Sequence, residues 1–286
     1  MKTAVVGHVE WAEFAHVERV PDPGDIVHAT DYFELPAGGA AVAAVQIARL
    51  GGGCLFLTAT GDDARADRVV SGLRERGLRV EAARRETAQR RAFVYLDADG
   101  ERTITTIGKR VGPQIEDPLP WDELKDADAV YLTAGNADTV RAARAARNVV
   151  ASVRTGPALA EAGVQVDVLV ASANDRGEVY VRGEIDPEPR WVVRTDGARG
   201  GTLETAEGKI TEWTSNPPSA AKVDTYGAGD TFAGGITYGL GRGFPIETAI
   251  AFGAFCGASS VRGRGPYAGH VSPEELAEWE RGARIA

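Results

Sequence analysis

The chain has 286 residues, 43% hydrophobic and 26% charged, so it is long enough and apolar enough to fold around a sizeable core. Its formal net charge of −9 argues against a broad surface for nucleic acid or anionic membrane. The sequence shows neither an apolar signal segment nor a run long enough to span a membrane, and two cysteines are too few for a disulfide framework or zinc cluster. We therefore expect a cytoplasmic location.

Apolar and helix-like segments alternate from the start of the chain. The predicted elements of the first ninety residues are a buried strand (2–9), a half-exposed strand (26–35), a buried small-residue helix (40–50), a buried strand (54–60) and a helix (64–76). In residues 91–107, apolar and polar side chains alternate on both sides of the turn Asp97–Gly100, which predicts an exposed antiparallel hairpin. Together with residues 26–35, this hairpin predicts a small sheet outside the main body.

The second half of the chain repeats a strand–helix rhythm. The predicted strands are 129–134, 149–153, 166–172 and 191–195, and the predicted helices are 137–147, 228–241, 245–259 and one that begins at Ser272. Short buried strands alternating with helices predict a three-layer α/β/α sandwich with a mostly parallel central sheet. We predict a single domain over residues 1–286, with a small β-sheet lid formed by segments of about 10–36 and 88–110.

The strongest chemical signal is the run Asp224-Thr225-Tyr226-Gly227-Ala228-Gly229-Asp230, where a Gly-rich turn leads into a helix. Unpaired amides and the helix dipole make such a helix start a site for an anion. A carboxylate beside a phosphate suggests a base that takes a proton from an attacking hydroxyl, and Asp230 is the candidate for this role. The alternative is a tight turn followed by an ordinary first-turn acid. The chain has no G-x-x-x-x-G-K-[ST] motif, which excludes a P-loop kinase.

This run resembles the D-T-x-G-A-G-D signature of the ribokinase-like (PfkB) carbohydrate kinase family and matches each fixed position. The resemblance extends over nearly the whole chain. Further family motifs are matched, in order, by Gly38-Gly39, Ala48-Arg49-Leu50-Gly51, Gly61-Asp62-Asp63, Gly100 to Thr103, and Thr195, Gly197 and Gly200 of a T-x-G-x-x-G nucleotide loop.

The resemblance implies transfer of a phosphoryl group from ATP, with Mg²⁺, to a hydroxyl of a sugar, sugar derivative or nucleoside. It implies that Asp230 is the general base and that the amides of Gly227, Ala228 and Gly229 form the anion hole. The other implied positions are the ATP-binding Ser172, Thr195, Gly197, Ala198, Arg199 and Gly200, the substrate-side turn Gly38 and Gly39, and a monovalent-cation loop, for K⁺, at Asp224 and Thr225.

The magnesium motif departs from the family pattern. Relatives usually have Asn-x-x-Glu after a buried strand, and alignment on residues 166–172 puts Ser172 at the Asn place and Asp175 at the Glu place. Aspartate can still hold a metal-bound water, so we expect Asp175 to contact Mg²⁺ through water. Asn174 and Glu178 offer a shifted alignment with different spacing. The same segment also suits a helix N-cap, and the two roles are compatible.

The substrate positions depart further. Ala12 stands where relatives typically carry a sugar-binding Asp, and Ala43 stands where they usually carry an Asn. An alanine side chain can neither donate nor accept a hydrogen bond. Glu10 lies two residues before Ala12, on the same side of a strand, so we predict that Glu10 orients the acceptor instead. The alternative is that Glu10 faces solvent near the lid hinge.

Two functions follow from these features. The first is an active kinase whose acceptor differs from plain ribose or fructose. The second is a non-catalytic relative that binds a nucleotide or metabolite as a sensor. The intact base and anion hole favour the kinase, since a sensor needs no base. A homodimer through the lid is a further expectation, because the edge strands of the lid need covering.

Overall fold

A computed structural model of the protein describes residues 1–51, 53–215 and 222–283. Within these residues the strands, in chain order, are β1 (Thr3–Val6), β2 (Glu10–His16), β3 (Asp31–Ala37), β4 (Cys54–Thr60), β5 (Leu78–Arg84), β6 (Arg91–Leu96), β7 (Arg102–Ile107), β8 (Ala129–Leu132), β9 (Val149–Ser152), β10 (Val168–Ser172), β11 (Trp191–Thr195), β12 (Gly201–Thr205) and β13 (Ile210–Trp213). The helices are α1 (Gly39–Gly51), α2 (Ala64–Arg74), α3 (Ala137–Ala143), α4 (Gly156–Ala162), α5 (Ala228–Gly241), α6 (Ile246–Ser260), α7 (Gly265–Ala268) and α8 (Pro273–Ala283).

The main body is built on a nine-stranded sheet with the order β13-β12-β11-β10-β9-β8-β1-β4-β5. The seven strands from β11 to β5 run parallel, and β12 and β13 extend the sheet antiparallel at one edge. Successive side chains of a strand point to opposite faces, so Val5 and Tyr131 belong to a core cluster that includes residues of α1, α2, α5, α6 and α8, whereas Val6 and Leu132 belong to one that includes residues of α3 and α4. The predicted three-layer sandwich is confirmed.

A separate four-stranded sheet has the order β3-β2-β6-β7. Strands β2 and β6 pair in parallel, and β3 and β7 flank them antiparallel. One face of this sheet buries Phe14 and Val94 against Val42 of α1 and Tyr226. The turn of the β6–β7 hairpin reaches the main body, because the backbone N–H of Thr225 donates to the carbonyl of Gly100 at 3.1 Å. The second sheet therefore touches the segment that carries the strongest sequence motif.

Several sequence expectations for strands were wrong. Residues 2–9 are not one strand: β1 ends at Val6, and β2 starts at Glu10 in the other sheet. The strand expected over 26–35 begins only at Asp31. Strands β5, β12 and β13 were not predicted. Of these, β5 and β13 are the two edges of the large sheet, and edge strands carry polar residues that weaken the apolar pattern.

The helix predictions are closer: α1, α2 and α6 start and end within two residues of the predicted bounds, whereas α3 ends at Ala143 rather than at 147, and α4 and α7 were not predicted. Helix α5 covers the predicted residues 228–241, and α8 follows the predicted start at Ser272, where a capping box forms. The Ser272 backbone N–H donates to Glu275 Oε2 at 2.8 Å, and the Glu275 backbone N–H donates to Ser272 Oγ at 3.2 Å. Among the described residues, no helix combines the length and the apolar character needed to cross a membrane.

Candidate active site

Parallel strands place their carboxyl ends at one edge of the large sheet, and ligands bind at such edges in α/β proteins. The polar residues that follow these strands are His8 after β1, Thr133 after β8, Arg154 after β9, Asp175 after β10 and Asp196 after β11. The four-stranded sheet lies against the N-terminal ends of α1 and α5 through Val42 and Tyr226. Residues far apart in the chain thus converge on one region.

Asp230, in the first turn of α5, lies directly against the first residue of α1. A Cβ atom at Gly39 would come 2.4 Å from Asp230 Oδ1 and 3.1 Å from its Cγ, closer than real Cβ contacts allow. Glycine at position 39 is therefore what lets the carboxylate sit at the start of α1. The dipoles of two helices, α1 and α5, consequently point their positive ends toward one half-buried carboxyl group.

The contact between α1 and α5 fixes this arrangement. The backbone N–H of Gly38 donates to Tyr226 Oη at 3.2 Å. Gly227 has a φ of +78°, and a Cβ there would lie 2.9 Å from Val42. Ala43 is fully buried and faces Gly234 across the same contact. Ala43, predicted as a substrate residue, is therefore packed between α1 and α5.

The start of α5 leaves room for an anion. Gly229 is exposed, and a Cβ built on it would meet no atom within 4 Å. The neighbouring Thr231 N–H is already used, since it donates to the Gly227 carbonyl at 2.8 Å. Gly227 and Ala228 precede this open position in the same turn. Of the three predicted anion-hole amides, that of Ala228 donates to the Thr225 carbonyl at 3.4 Å, and those of Gly227 and Gly229 have no backbone partner among the described residues.

Burial first, and then the negative charges of Glu178 and Glu10, raise the pKa of Asp230 to about 7. The positive charges of Arg102, on β7, and Arg154 oppose this shift. A carboxyl group with a pKa near neutrality is protonated and ionised in comparable amounts at physiological pH. Such a group suits general-base catalysis, which works best when the pKa lies near the working pH.

Glu10 is buried and ion-paired. Its Oε1 lies 2.5 Å from Nε of Arg90 and 3.9 Å from Nε2 of His8, and the side chain is 8% exposed. Its Cγ would lie 3.5 Å from a Cβ built on Gly38. The alternative that Glu10 faces solvent is therefore wrong. The carboxylate is also not free, because Arg90 already satisfies part of its charge.

Arg154 binds both carboxylates that the two sequence alignments offered as the magnesium residue, Asp175 and Glu178. Its Nη2 donates to Asp175 Oδ2 at 2.7 Å, and its Nε donates to Glu178 Oε1 at 2.7 Å. Glu178 is the charged neighbour with the largest effect on Asp230, ahead of Arg102 and Arg154. Sequence reasoning preferred Asp175 and gave Arg154 no role. A basic residue directly after a buried parallel strand was the available signal.

The helix-cap alternative for this segment is confirmed. Ser172 Oγ accepts hydrogen bonds from the backbone N–H groups of Asn174 at 3.2 Å and Asp175 at 3.3 Å. Asp175 in turn caps the short 3-10 turn Arg176–Glu178 by accepting from the Gly177 N–H. The hydroxyl of Ser172 is thus occupied by the protein backbone.

The predicted nucleotide loop lies between β11 and β12 at the same edge. Ser172 and Thr195 are direct partners in the parallel pair β10–β11. The loop contains the 3-10 turn Gly197–Arg199, which carries Ala198 and is closed by a hydrogen bond from the Asp196 N–H to the Gly200 carbonyl at 2.7 Å. Arg199 forms an ion pair with Asp196. Gly200 has a φ of +105°, and a Cβ there would clash with the Trp213 carbonyl.

Asp224 has a structural part in the same region. It is buried, its Oδ1 accepts from the Tyr226 N–H at 2.8 Å, and its Oδ2 accepts from the Gly265 N–H at 2.9 Å. Burial raises its pKa above the usual range for aspartate. Thr225 Oγ1 donates to the Gly100 carbonyl at 3.1 Å. Asp224 and Thr225 thus join the start of α5 to two neighbouring loops.

Comparison with known proteins agrees with this architecture. The family model described as "pfkB family carbohydrate kinase" matches residues 2–154 and 171–272. The ATP-dependent ribose-1-phosphate kinase of Halopiger xanaduensis is 27% identical over 268 residues, covering 88% of this chain and 89% of that protein. The aminoimidazole riboside kinase of Salmonella typhimurium is 27% identical over 311 residues, covering 92% and 91%.

Solved structures show the same fold. Ribokinase from Thermotoga maritima superposes with a TM-score of 0.77 at 21% identity, covering 98% of this chain and 99% of that one. Arabidopsis thaliana ribokinase, complexed with ribose and ATP, also gives 0.77, at 20% identity and 97% coverage of both chains. The match of the family model over most of the chain establishes the relationship. The chain belongs to the pfkB family of carbohydrate kinases and is a kinase.

Proposed function

We propose that the protein transfers the γ-phosphoryl group of ATP to a hydroxyl of a sugar, sugar derivative or nucleoside, with Asp230 as the general base. The observation that carries this proposal is the position of Asp230 at the meeting point of two helix starts, with a pKa of about 7 and the open turn at Gly229 beside it. Acceptor-dependent release of ADP over a panel of sugars, sugar derivatives and nucleosides tests it.

The catalytic roles follow from this geometry. Asp230 accepts the proton of the attacking hydroxyl, which makes the oxygen a better nucleophile toward the γ-phosphorus. The amides of Gly227, Ala228 and Gly229 stabilise the charge on the transferring phosphoryl group. Residues Thr195 to Gly200, with Ser172 beside them, bind the nucleotide, and the turn at Gly38 and Gly39 carries the acceptor side of the site.

The carboxylates beside Arg154 suit a hydrated divalent cation. Asp175 and Glu178 together bring two negative charges and share one guanidinium, and oxygen ligands and bound water are what Mg²⁺ prefers. Bound with ATP, Mg²⁺ would neutralise phosphate charge during transfer. We propose that Asp175 contacts Mg²⁺ through water. We propose that Glu178, whose charge also acts on Asp230, is the second carboxylate of this cation site.

Substituting Asp175 and Glu178 one at a time separates their contributions to Mg²⁺ binding. We expect Asp175→Asn and Glu178→Gln each to raise the Mg²⁺ concentration for half-maximal turnover, by about tenfold or more, with the larger effect at Glu178. The matched control is Glu184→Gln, which removes an exposed carboxylate from a loop. Magnesium titrations of ATP turnover measure the effect. Wild-type magnesium dependence in both variants would remove these residues from the proposed cation group.

Two further proposals concern ions and assembly. Asp224 and Thr225 are proposed as a K⁺ site; equal rates in K⁺ and Na⁺ at matched ionic strength contradict it. A homodimer through the four-stranded sheet is supported by β7, which is exposed along its whole length and carries the exposed Ile104 and Ile107.

Glu10 is proposed to orient the acceptor, because Ala12 and Ala43 lack polar side-chain atoms. We expect Glu10→Gln to raise the KM for the acceptor by about tenfold, while the KM for ATP changes little. The matched control is Glu13→Gln in the same strand: Glu13 is similarly buried and pairs with Nε of Arg91 at 2.7 Å. Steady-state kinetics and melting temperatures of both variants make the comparison.

Both variants unpair an arginine, so both should lose stability. Only Glu10→Gln should change the acceptor KM. If the two variants alter that KM equally, Glu10 has no role beyond its ion pair. Efficient phosphorylation of plain ribose or fructose by the wild type contradicts the expected difference in acceptor.

A further inference from the structure

Arg110 contacts His8 at the acceptor side of the site, and the charges of Arg90 and Arg154 also act on this histidine. Nη2 of Arg110 donates to His8 Nδ1 at 2.9 Å and to the Thr133 carbonyl at 3.1 Å. Burial, followed by the charges of Arg110, Arg90 and Arg154, holds the pKa of His8 well below its usual range. The imidazole is therefore neutral at physiological pH, and it contributes no positive charge of its own. The positive charge of this region belongs to the guanidinium groups.

The three arginines differ in their partners. Arg90 pairs with Glu10, and Arg154 pairs with Asp175 and Glu178. Arg110 has no carboxylate within ion-pair distance in residues 1–51, 53–215 and 222–283, and its buried Nε has no hydrogen-bond partner there. Burial lowers the pKa of the partly buried Arg110, and the negative charge of Glu10, which is already paired with Arg90, offsets this in part. Burying a guanidinium without an ion-pair partner of its own is costly. An arrangement of this kind is stabilised when a bound anion completes it.

Arg110 lies where a substrate can reach it. A cleft of about 320 Å³ is lined by residues that include Arg110, Gly112, Thr133 and Arg154. The Thr133 hydroxyl is also buried without a partner among the described residues. A Cβ at Gly7 would lie 2.0 Å from Thr133 Oγ1 and 2.6 Å from the Cβ of Ala40, so Thr133 sits close to the first turn of α1. That turn begins at Gly39, against which Asp230 packs.

We propose that the phosphoryl acceptor is anionic, and that Arg110, with Arg154 in the lining of the same cleft, binds its carboxylate or phosphate group. This inference rests on the proposed function and specifies its substrate class. A guanidinium presents parallel N–H donors that match the oxygens of a carboxylate or phosphate. Binding the charged group there would hold the acceptor while a separate hydroxyl faces Asp230. The competing explanation is that Arg110 only ties the end of β8 to His8.

Kinetics with matched acceptor pairs test the proposal. Each neutral compound is compared with its charged derivative, for example ribose with ribose 5-phosphate and glucose with gluconate. We expect the charged member of a pair to be preferred. Arg110→Gln should raise its KM by about 10- to 100-fold and leave the neutral member nearly unchanged. Arg110→Lys keeps the positive charge but loses the parallel N–H donors of the guanidinium, so its KM for the charged member should lie between those of Arg110→Gln and the wild type. Lys109→Gln removes one exposed positive charge next to it and serves as the control.

Preference for the neutral members, or an equal loss for both members in Arg110→Gln, overturns the proposal. A binding measurement separates its failure from failure of the proposed function. Calorimetry with inorganic phosphate, in the presence of a saturating non-hydrolysable ATP analogue that fills the nucleotide site, should show binding to the wild type and to Lys109→Gln, and binding at least about tenfold weaker to Arg110→Gln. Loss of phosphate binding in that variant supports the anion site even if no acceptor is phosphorylated. Equal phosphate affinity in Arg110→Gln and the wild type overturns the anion site, whatever the turnover.

Discussion

The Asp230→Asn variant should lose about 10²- to 10⁴-fold in kcat while it keeps its fold and its affinity for ATP. Asparagine preserves the shape of the side chain, but it cannot accept the proton of the attacking hydroxyl. The matched control is Asp138→Asn, which changes another first-turn acid, on α3, where the carboxylate is paired with Arg141 on the surface. Turnover and ATP-binding measurements on both variants distinguish a base from an ordinary helix-start acid.

The pH dependence of kcat in the wild type is a second test of Asp230 as the general base. Because the pKa of Asp230 is raised to about 7, the carboxyl group is mostly protonated below that pH and cannot act as a base. We expect kcat to rise with pH through about 7 and then level off. The Asp230→Asn variant should lack this rise. A flat wild-type profile between pH 5 and about 8 contradicts the assignment.

Gly39→Ala should cost about 10²-fold in kcat/KM, because a displacement of the catalytic group by about 1 Å is enough for such a loss. The new methyl group would overlap Asp230 Oδ1, which lies 2.4 Å from the position of the Cβ. Alanine otherwise favours helices, so propensity alone predicts no harm at the start of α1. The loss should therefore appear in activity, through the carboxylate.

Gly282→Ala is the matched control for this substitution. It adds the same methyl group near the end of α8, where the Cβ would meet no atom within 4 Å. Its kinetics should equal those of the wild type. If Gly39→Ala is equally active, Asp230 can reach its working position without the contact to α1, and the role of Gly39 proposed here is wrong.

The order of the main elements could be predicted because it depends on local patterns. Buried strands such as β10 and β11 are short apolar runs, and the start of α5 is marked by glycines followed by Asp230. The turn at Gly100 was likewise visible in the alternation of the two runs that flank it. The separation of β1 from β2 was not, because both are apolar and only pairing across the fold assigns them to different sheets.

The site itself was predicted in part. The motif from Asp224 to Asp230 identified the start of α5, but its contact with Gly39 depends on the packing of two helices distant in sequence. Glu10 was identified as a candidate, whereas its partner Arg90 was not, since an ion pair across the sheet leaves no local pattern. Arg110 and Arg154 are part of no sequence motif, and their candidate roles follow only from the cleft that both of them line.

The most direct test of the central claim measures acceptor phosphorylation by the wild type and Asp230→Asn side by side, with identification of the phosphorylated product. The panel contains sugars, sugar derivatives and nucleosides, each with its charged counterpart. The account predicts a product that requires both ATP and an acceptor, formed by the variant at least about 10²-fold more slowly. The same rate in both proteins, or no acceptor-dependent product from the wild type across the panel, would contradict it.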